Sequence, residues 1–294
     1  MRWQQMVGFY HVAKTGKFTK AAEKTYRTQS ALTQQVKKLE EEMGCQLLER
    51  VGKKKLLLTP AGRKCFAFVE TVLNNYDYLV EEISVLNGQK RGKLKIAAPY
   101  TTLNQLLPKV VEQYMVQFPW VELSLLDRPQ RAVIELVKSG EVDLGFAIES
   151  IIPGNLDKKH WKIIESVLAV PREHPLAKEK TVMLEQIARY PLILPPEGGA
   201  YNNRKKLEEL FRQNSLNYRV IMESSNVELS AVYVEMGLGI SFATVVRDLP
   251  LLERKNFVFI SLNHYFKPQY LDVITRKDKP IPPYMDAFLS LLHP

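Results

Sequence analysis

Five side chains between Gln29 and Lys37 are of the types that read nucleic acid. In a helix turning about 100° per residue, Ser30, Thr33, Gln34 and Lys37 project from one side, with Gln29 at the N-terminal end. Leu32, Val36, Leu39 and Met43 form the opposite stripe, which the helix buries. Short uncharged hydrogen-bonders match the donors, acceptors and thymine methyls of a major groove, and a lysine among them matches phosphate. A merely solvated face would carry more glutamate, and the run Glu40, Glu41, Glu42 comes only at the far end. Downstream, two apolar runs flank Gly52-Lys53-Lys54-Lys55, a β-hairpin with a cationic tip. Arg50, Lys53, Lys54 and Lys55 would sit beside phosphates or reach into the minor groove, adding affinity rather than sequence choice.

Catalytic chemistry is hard to assemble from the same chain. His11, His160, His174, His264 and His293 are scattered without HExxH or other metal spacing, and no GxSxG elbow occurs. Gly237-Leu238-Gly239 follows a helix and precedes a strand, the reverse of the order that phosphate binding needs. Neither an enzyme nor a metal site is expected. Cys45 and Cys65 make neither a disulfide framework nor a CxxC pair; both are expected as reduced, small apolar residues, with a redox disulfide as the sharper alternative.

Residues 1–64 carry 14 Lys and Arg against 5 Asp and Glu, whereas the other 230 carry 27 of each, so the whole excess of +9 lies in the first fifth of the chain. A basic balance confined to one segment is the footprint of polyanion binding, although charge alone does not separate DNA from RNA or anionic lipid. No stretch approaches the roughly 18 apolar residues of a membrane span. Met1-Arg2-Trp3-Gln4-Gln5 lacks the layout of a secretory leader. A cytoplasmic protein without membrane contact is expected, which disfavours an exported solute-binding protein.

The elements that must position these residues follow from periodicity. Residues 2–14 read as a helix with Trp3, Met6, Val7 and Tyr10 on one face. Thr19 is placed as N-cap of a second helix through Ala21 and Ala22, and Arg27-Thr28-Gln29 turns the chain into the third. Two short helices with a tight polar turn are the helix-turn-helix layout, completed by the hairpin wing. Thr59-Pro60 starts a helix of about 28 residues, roughly 42 Å long. Along it Cys65, Val69, Val72, Tyr76, Leu79, Ile83 and Leu86 alternate steps of 4 and 3, a seam that wants a partner helix. Past Asn87-Gly88, short β runs alternate with helices, predicting two α/β lobes with a mainly parallel sheet; one strand is placed at 164–170.

Several strings resemble the LysR-type family of transcription regulators over essentially the whole chain. They are Phe18-Thr19-Lys20-Ala21-Ala22, the run from Thr28 to Gly44, Leu47-Leu48-Glu49-Arg50 and Leu58-Thr59-Pro60-Ala61-Gly62, with weaker echoes at Gly92-Lys93-Leu94, Gly140-Glu141-Val142-Asp143, His174-Pro175-Leu176 and Gly237-Leu238-Gly239-Ile240. The resemblance implies a winged helix-turn-helix over 1–58 and a dimerising linker helix over 59–89. It implies a periplasmic-binding-protein-like effector domain over 90–294, with lobe I at about 90–162 and 267–294 and lobe II at about 163–266. It further implies a homodimer or dimer of dimers on two-part operator DNA, RNA polymerase as partner of an activator, no prosthetic group, and a small co-inducer in the interlobe cleft. Matched by motif, Gln29, Ser30, Thr33 and Gln34 fall on base-facing positions and Arg50 on the wing contact. Tyr100-Thr101-Thr102 matches the effector-anchoring loop; Gly199, Ala200 and Tyr201 with Ser225 and Asn226 fall on loops lining the second lobe. The chain is nearer the family's sulfur-metabolism activators, yet Pro99 and Tyr100 stand beside Thr101, and Ile148 falls where those proteins place a hydroxyl. Sulfate, acetylserine, aromatic acids, amino acids and sugar phosphates all stay open as effectors.

Overall fold

Helices α1 (Trp3–Thr15), α2 (Phe18–Thr25) and α3 (Gln29–Met43) build the N-terminal core. The computed structural model describes residues 1–51, 55–86, 92–197, 203–247, 256–278 and 281–293. It divides into two compact units, Met1–Gln89 with Asp278–Pro282 and Lys90–Lys277 with Pro283–Pro294. α1 buries Gln5, Gly8, Phe9 and Val12, a face rotated from the expected stripe; Trp3 is exposed, and Met6 and Tyr10 only rim the core. The cause is α3: a Cβ on Gly8 would lie 2.6 Å from Gln35 Oε1 and 3.3 Å from Leu32 Cδ2, so the helices meet through a residue that hydropathy undervalues. α2 starts two residues earlier than expected, with Lys17 at the N-cap and Thr19 inside the first turn. Thr28 caps α3, its hydroxyl accepting from Ala31 N at 3.2 Å. Leu32, Val36 and Leu39 are buried as expected, but Met43, the last residue before the Gly44 cap, is exposed.

Strands β1 (Leu48–Val51) and β2 (Lys55–Leu58) form the antiparallel wing, with Arg50 opposite Leu56. Its root is tied to α3 by Glu40, whose Oε1 accepts from Leu47 N at 2.8 Å and Leu48 N at 3.1 Å. Helix α4 (Pro60–Leu86) then runs for 27 residues, about 40 Å. Thr59 caps it by accepting from Gly62 N at 2.9 Å while donating to Gln46 O at 2.8 Å. A Cβ on Gly62 would fall 1.9 Å from Leu47 O, so this contact admits only glycine. The first turns of α4 belong to the N-terminal core, with Phe66 stacked on Tyr10 at 5.3 Å. Val69 is fully buried there, packed in one cluster with Phe9, Val12 and Leu39; that corrects its assignment to the dimer seam.

The second unit is built on one nine-stranded sheet. Its strands are β3 (Gly92–Ala98), β4 (Val121–Asp127), β5 (Leu144–Ile148), β6 (Leu156–Pro171), β7 (Pro191–Leu194), β8 (Arg219–Glu223), β9 (Ile240–Val246), β10 (Phe257–Ser261) and β11 (Gln269–Arg276). The order is β4-β3-β5-β11-β6-β9-β7-β8, with β10 also paired to β6. The outer pairs are parallel, but β5, β11, β6 and β9 run antiparallel, so the sheet is mixed rather than mainly parallel. Strand β6 begins eight residues before the expected start. Its first half, Leu156–Ile163, pairs with β11, and its second half passes to β9 and β10, linking the two lobes. That first half hides from pattern reading because Asp157, Lys158, Lys159 and His160 are all exposed. Helices α5 (Pro108–Gln117), α6 (Gln130–Lys138), α7 (Leu184–Ile187), α8 (Asn203–Gln213), α9 (Val227–Glu235) and α10 (Pro283–Leu291) cover the sheet. α10 completes the first lobe, with Phe288 edge-on to Tyr114 of α5 at 5.2 Å.

Candidate DNA-reading face and effector cavity

Gln29, Ser30, Thr33, Gln34 and Lys37 are all solvent-exposed on α3, while the opposite side of the helix fills the core. The Thr33 hydroxyl donates to Gln29 O at 2.9 Å, so its proton is committed to its own helix and it offers outward only acceptor lone pairs and a methyl group. Ser30 Oγ lies 3.2 Å from Thr28 Oγ1. Lys37 lies 3.9 Å from Glu41, an exposed helical pair worth a few tenths of a kcal/mol at most and readily exchanged for phosphate. Arg50 is exposed on β1. Lys53 and Lys54 fall outside the described residues, as do the side chains of Lys55 and Leu86. Past Leu73, α4 presents Tyr76, Leu79 and Ile83 half-exposed, with Val72 partly buried; Trp3 rests on Tyr76 at 4.5 Å.

A cavity of about 500 Å³ opens in the second unit. Three chain segments that start helices reach its wall: Thr101 and Thr102 ahead of a π-helical turn, Gln130 at the start of α6, and Asn226 at the N-cap of α9. Unpaired N–H groups at helix starts favour an anion, but here Thr102 N and Leu103 N already donate to Pro99 O and Leu229 N to Asn226 Oδ1, so the contribution falls to the remaining first-turn groups of α6 and α9. Of the expected pocket residues, Thr101, Thr102, Ser225 and Asn226 line the cavity. Tyr100 is not on its wall and is 45% exposed. Its neighbour Thr102 is the one turned inward, at 4%. Gly199, Ala200 and Tyr201 lie outside the described residues. Asn226 also has a structural duty, since its Oδ1 accepts from Leu229 N at 2.8 Å.

Sequence reasoning missed Gln130, whose Oε1 accepts from Ile148 N at 2.9 Å and fixes the cavity edge. Its position just past the carboxyl end of β4, where α/β sheets hold ligands, is a signal that could have found it. Glu228 was missed as well: its carboxylate accepts from Thr101 Oγ1 at 3.1 Å and from Gln105 Nε2, joining the first lobe to α9 of the second. Arg204, nearly buried on α8, donates to Pro195 O at 2.7 Å and Glu208 at 2.9 Å, and also to Glu223 and Glu197. Burial opposes its charge, but hydrogen bonds to Glu223 and Glu208 outweigh that and raise its pKa, so it stays charged and holds the 195–197 wall in place. Glu149, His160 and Asp272 also converge in the first lobe, an arrangement that no local spacing announces.

Residues 3–63 match the model of the bacterial regulatory helix-turn-helix protein, lysR family, and residues 87–294 match the LysR substrate binding domain. The chain therefore belongs to the LysR family of transcription regulators, DNA-binding proteins with an effector-binding domain, and is not an enzyme. It is 35% identical over 239 residues to the HTH-type transcriptional activator CmpR of Synechocystis sp., covering 81% of this chain and 77% of that one. To the HTH-type transcriptional regulator CysB of Burkholderia cenocepacia it is 29% identical, covering 94% and 88%. Full-length CbnR, solved in complex with its target DNA, shares the fold at a TM-score of 0.55 and 22% identity, covering 99% of each chain. Among the described residues no helix is long and apolar enough to cross a membrane.

Proposed function

We propose that Gln29, Ser30, Thr33, Gln34 and Lys37 enter the major groove of an operator half-site, with Arg50, Lys53, Lys54 and Lys55 on flanking phosphates or in the minor groove. The observation that carries this reading is the exposure of all five polar groups on one side of α3, the side facing away from the core. Two chains pair through Val72, Tyr76, Leu79, Ile83 and Leu86 of α4, and two such dimers assemble on a two-part operator in the cytoplasm. The cavity takes a small anionic co-inducer, a carboxylate, sulfate or phosphate compound, held by Thr102, Ser225 and Asn226, while Thr101, whose hydroxyl donates to Glu228, shapes the wall beside them. Its helix starts and its hydroxyls support that chemistry, with the charge of the ligand directed away from Glu197, the one ionisable group on the described wall. Binding changes the closure of the lobes about β6 and β11, and with it the spacing of the two α3 helices and contact with RNA polymerase. A co-inducer does this only by binding the two arrangements with different affinity.

The test is a thermal-shift screen of the full chain against sulfate, acetylserines, amino acids and aromatic carboxylates, followed by binding to duplexes selected from a random pool, with and without each hit. A hit that alters DNA affinity or footprint is expected. Absence of DNA binding even at low salt would sink the reading.

A further inference from the structure

We infer that Glu149, His160 and Asp272 form a binding site for a first-row divalent metal ion of the zinc class. The three side chains come from the turn after β5, from β6 and from β11. His160 Nδ1 lies 2.7 Å from Asp272 Oδ1 and 3.8 Å from Glu149 Oε2, and the three ligand atoms all fall within 4.8 Å of one another. Ligands of a tetrahedral ion with bonds of about 2.1 Å stand about 3.4 Å apart, so the two pairs that include His160 need shifts of under about 1 Å, and the Asp272–Glu149 pair closes by at most about 1.4 Å as the partly exposed side chains of His160 and Glu149 adjust.

Asp272 supplies the independent observation. It is 0% exposed, at a register shift in β11, and its Oδ2 is buried without a hydrogen-bond partner. A carboxylate oxygen enclosed in this way calls for a cation. The His160 ring is stacked on Tyr270 at 4.0 Å and 16°, which fixes its plane, while its half-exposed edge leaves an entry path and a fourth position for water. One imidazole and two carboxylates suit zinc or cobalt rather than calcium or magnesium, which take oxygen alone. Glu149 directly follows Ile148 and Asp272 directly follows Leu271, both on the cavity wall. An ion here would pin that wall to β6, giving the sensor a second input besides its co-inducer. The site rests on its own geometry and stands whether or not the cavity takes an anion.

The experiment is titration of the chelator-treated full chain with Zn²⁺ by calorimetry and with Co²⁺ by visible absorption. Wild type is expected to bind one ion per chain at this site and to show a Co²⁺ d–d band. His160→Gln and Glu149→Gln, at partly exposed positions that leave the fold intact by circular dichroism, are each expected to weaken binding at least about 10-fold. His160→Gln is expected to lose the band as well, and His264→Gln, outside the trio, to behave as wild type. No Zn²⁺ binding by wild type, or equal binding by wild type and both trio variants, would overturn the site and leave His160 and Asp272 a hydrogen-bonded pair.

Discussion

At the scale of single residues, α3 on the proposed reading makes two kinds of contact, base-reading and phosphate-holding, that can be told apart by substitution. Gln34→Ala is expected to cost about 1–3 kcal/mol on the selected operator and to relax preference at one base position. Lys37→Ala is expected to weaken all sequences alike and to lower the salt slope by about one. Fluorescence anisotropy on operator and scrambled duplexes distinguishes them; equal losses on both duplexes for Gln34→Ala would remove it from base reading. Histidine chemistry gives a second prediction. His174 Nδ1 accepts from Leu176 N at 3.2 Å, a role open only to the neutral ring, and burial holds its pKa below the ordinary 6.5. His11 is also held low, by burial first and then by Lys24 and Lys14. A lowered histidine pKa contributes stability that is complete above 6.5 and is lost as pH falls through the folded value. The urea midpoint of the full chain is expected to drop between about pH 7 and about pH 5, and His174→Asn, which keeps an acceptor, to shrink that drop. The face of α3 was legible because all five residues lie on one helix within nine positions. Glu228 and the trio at His160 were not, because Glu228 and Thr101, or His160 and Asp272, are more than 100 residues apart and no periodicity links them.

At the scale of elements, α4 changes its role along its length. Its N-terminal half is core, locked by Gly62 against Leu47. Gly62→Ala would press a methyl into a backbone carbonyl that no rotamer change can move, and is expected to cost at least about 2 kcal/mol in urea unfolding. Farther on, Tyr76, Leu79 and Ile83 stand half-exposed, and nothing among the described residues of their own unit covers them fully. If two copies pair there, Leu79→Glu removes apolar burial from both chains at once. It is expected to weaken the dimer by about 3 kcal/mol or more, over a hundredfold, in sedimentation equilibrium with the helical signal unchanged. A dimer of unaltered affinity would place the interface elsewhere. The regular 4 and 3 spacing marked α4 correctly as a helix but could not show where its buried part ends and its exposed apolar face begins, since Val69 and Tyr76 obey the same pattern. The converse holds for β6: its charged first half carries no strand signature, and its pairing comes from β11, more than 100 residues later.

At the scale of the molecule, charge and geometry are divided between the two units, and that division sets what a co-inducer can do. All the excess positive charge lies in residues 1–64, while the remainder is balanced at 27 basic and 27 acidic residues. The sensor therefore adds little to phosphate binding. Counting Lys37, Arg50 and the three wing lysines on each of the two heads of one dimer gives about ten phosphate contacts, and a slope of log affinity against log salt near −9 on a duplex that carries a single dimer site. None of these groups lines the cavity, so on the proposed reading a co-inducer bound there alters only how the two unchanged heads of a dimer are presented. Affinity and footprint are thus expected to shift with co-inducer while the slope stays constant. By linkage, operator DNA is expected to change co-inducer affinity by the same factor. Anisotropy titrations across salt, repeated with saturating co-inducer, measure both. A slope that falls by several contacts on co-inducer binding would mean that a whole head leaves the DNA, and that the sensor acts by release rather than by respacing.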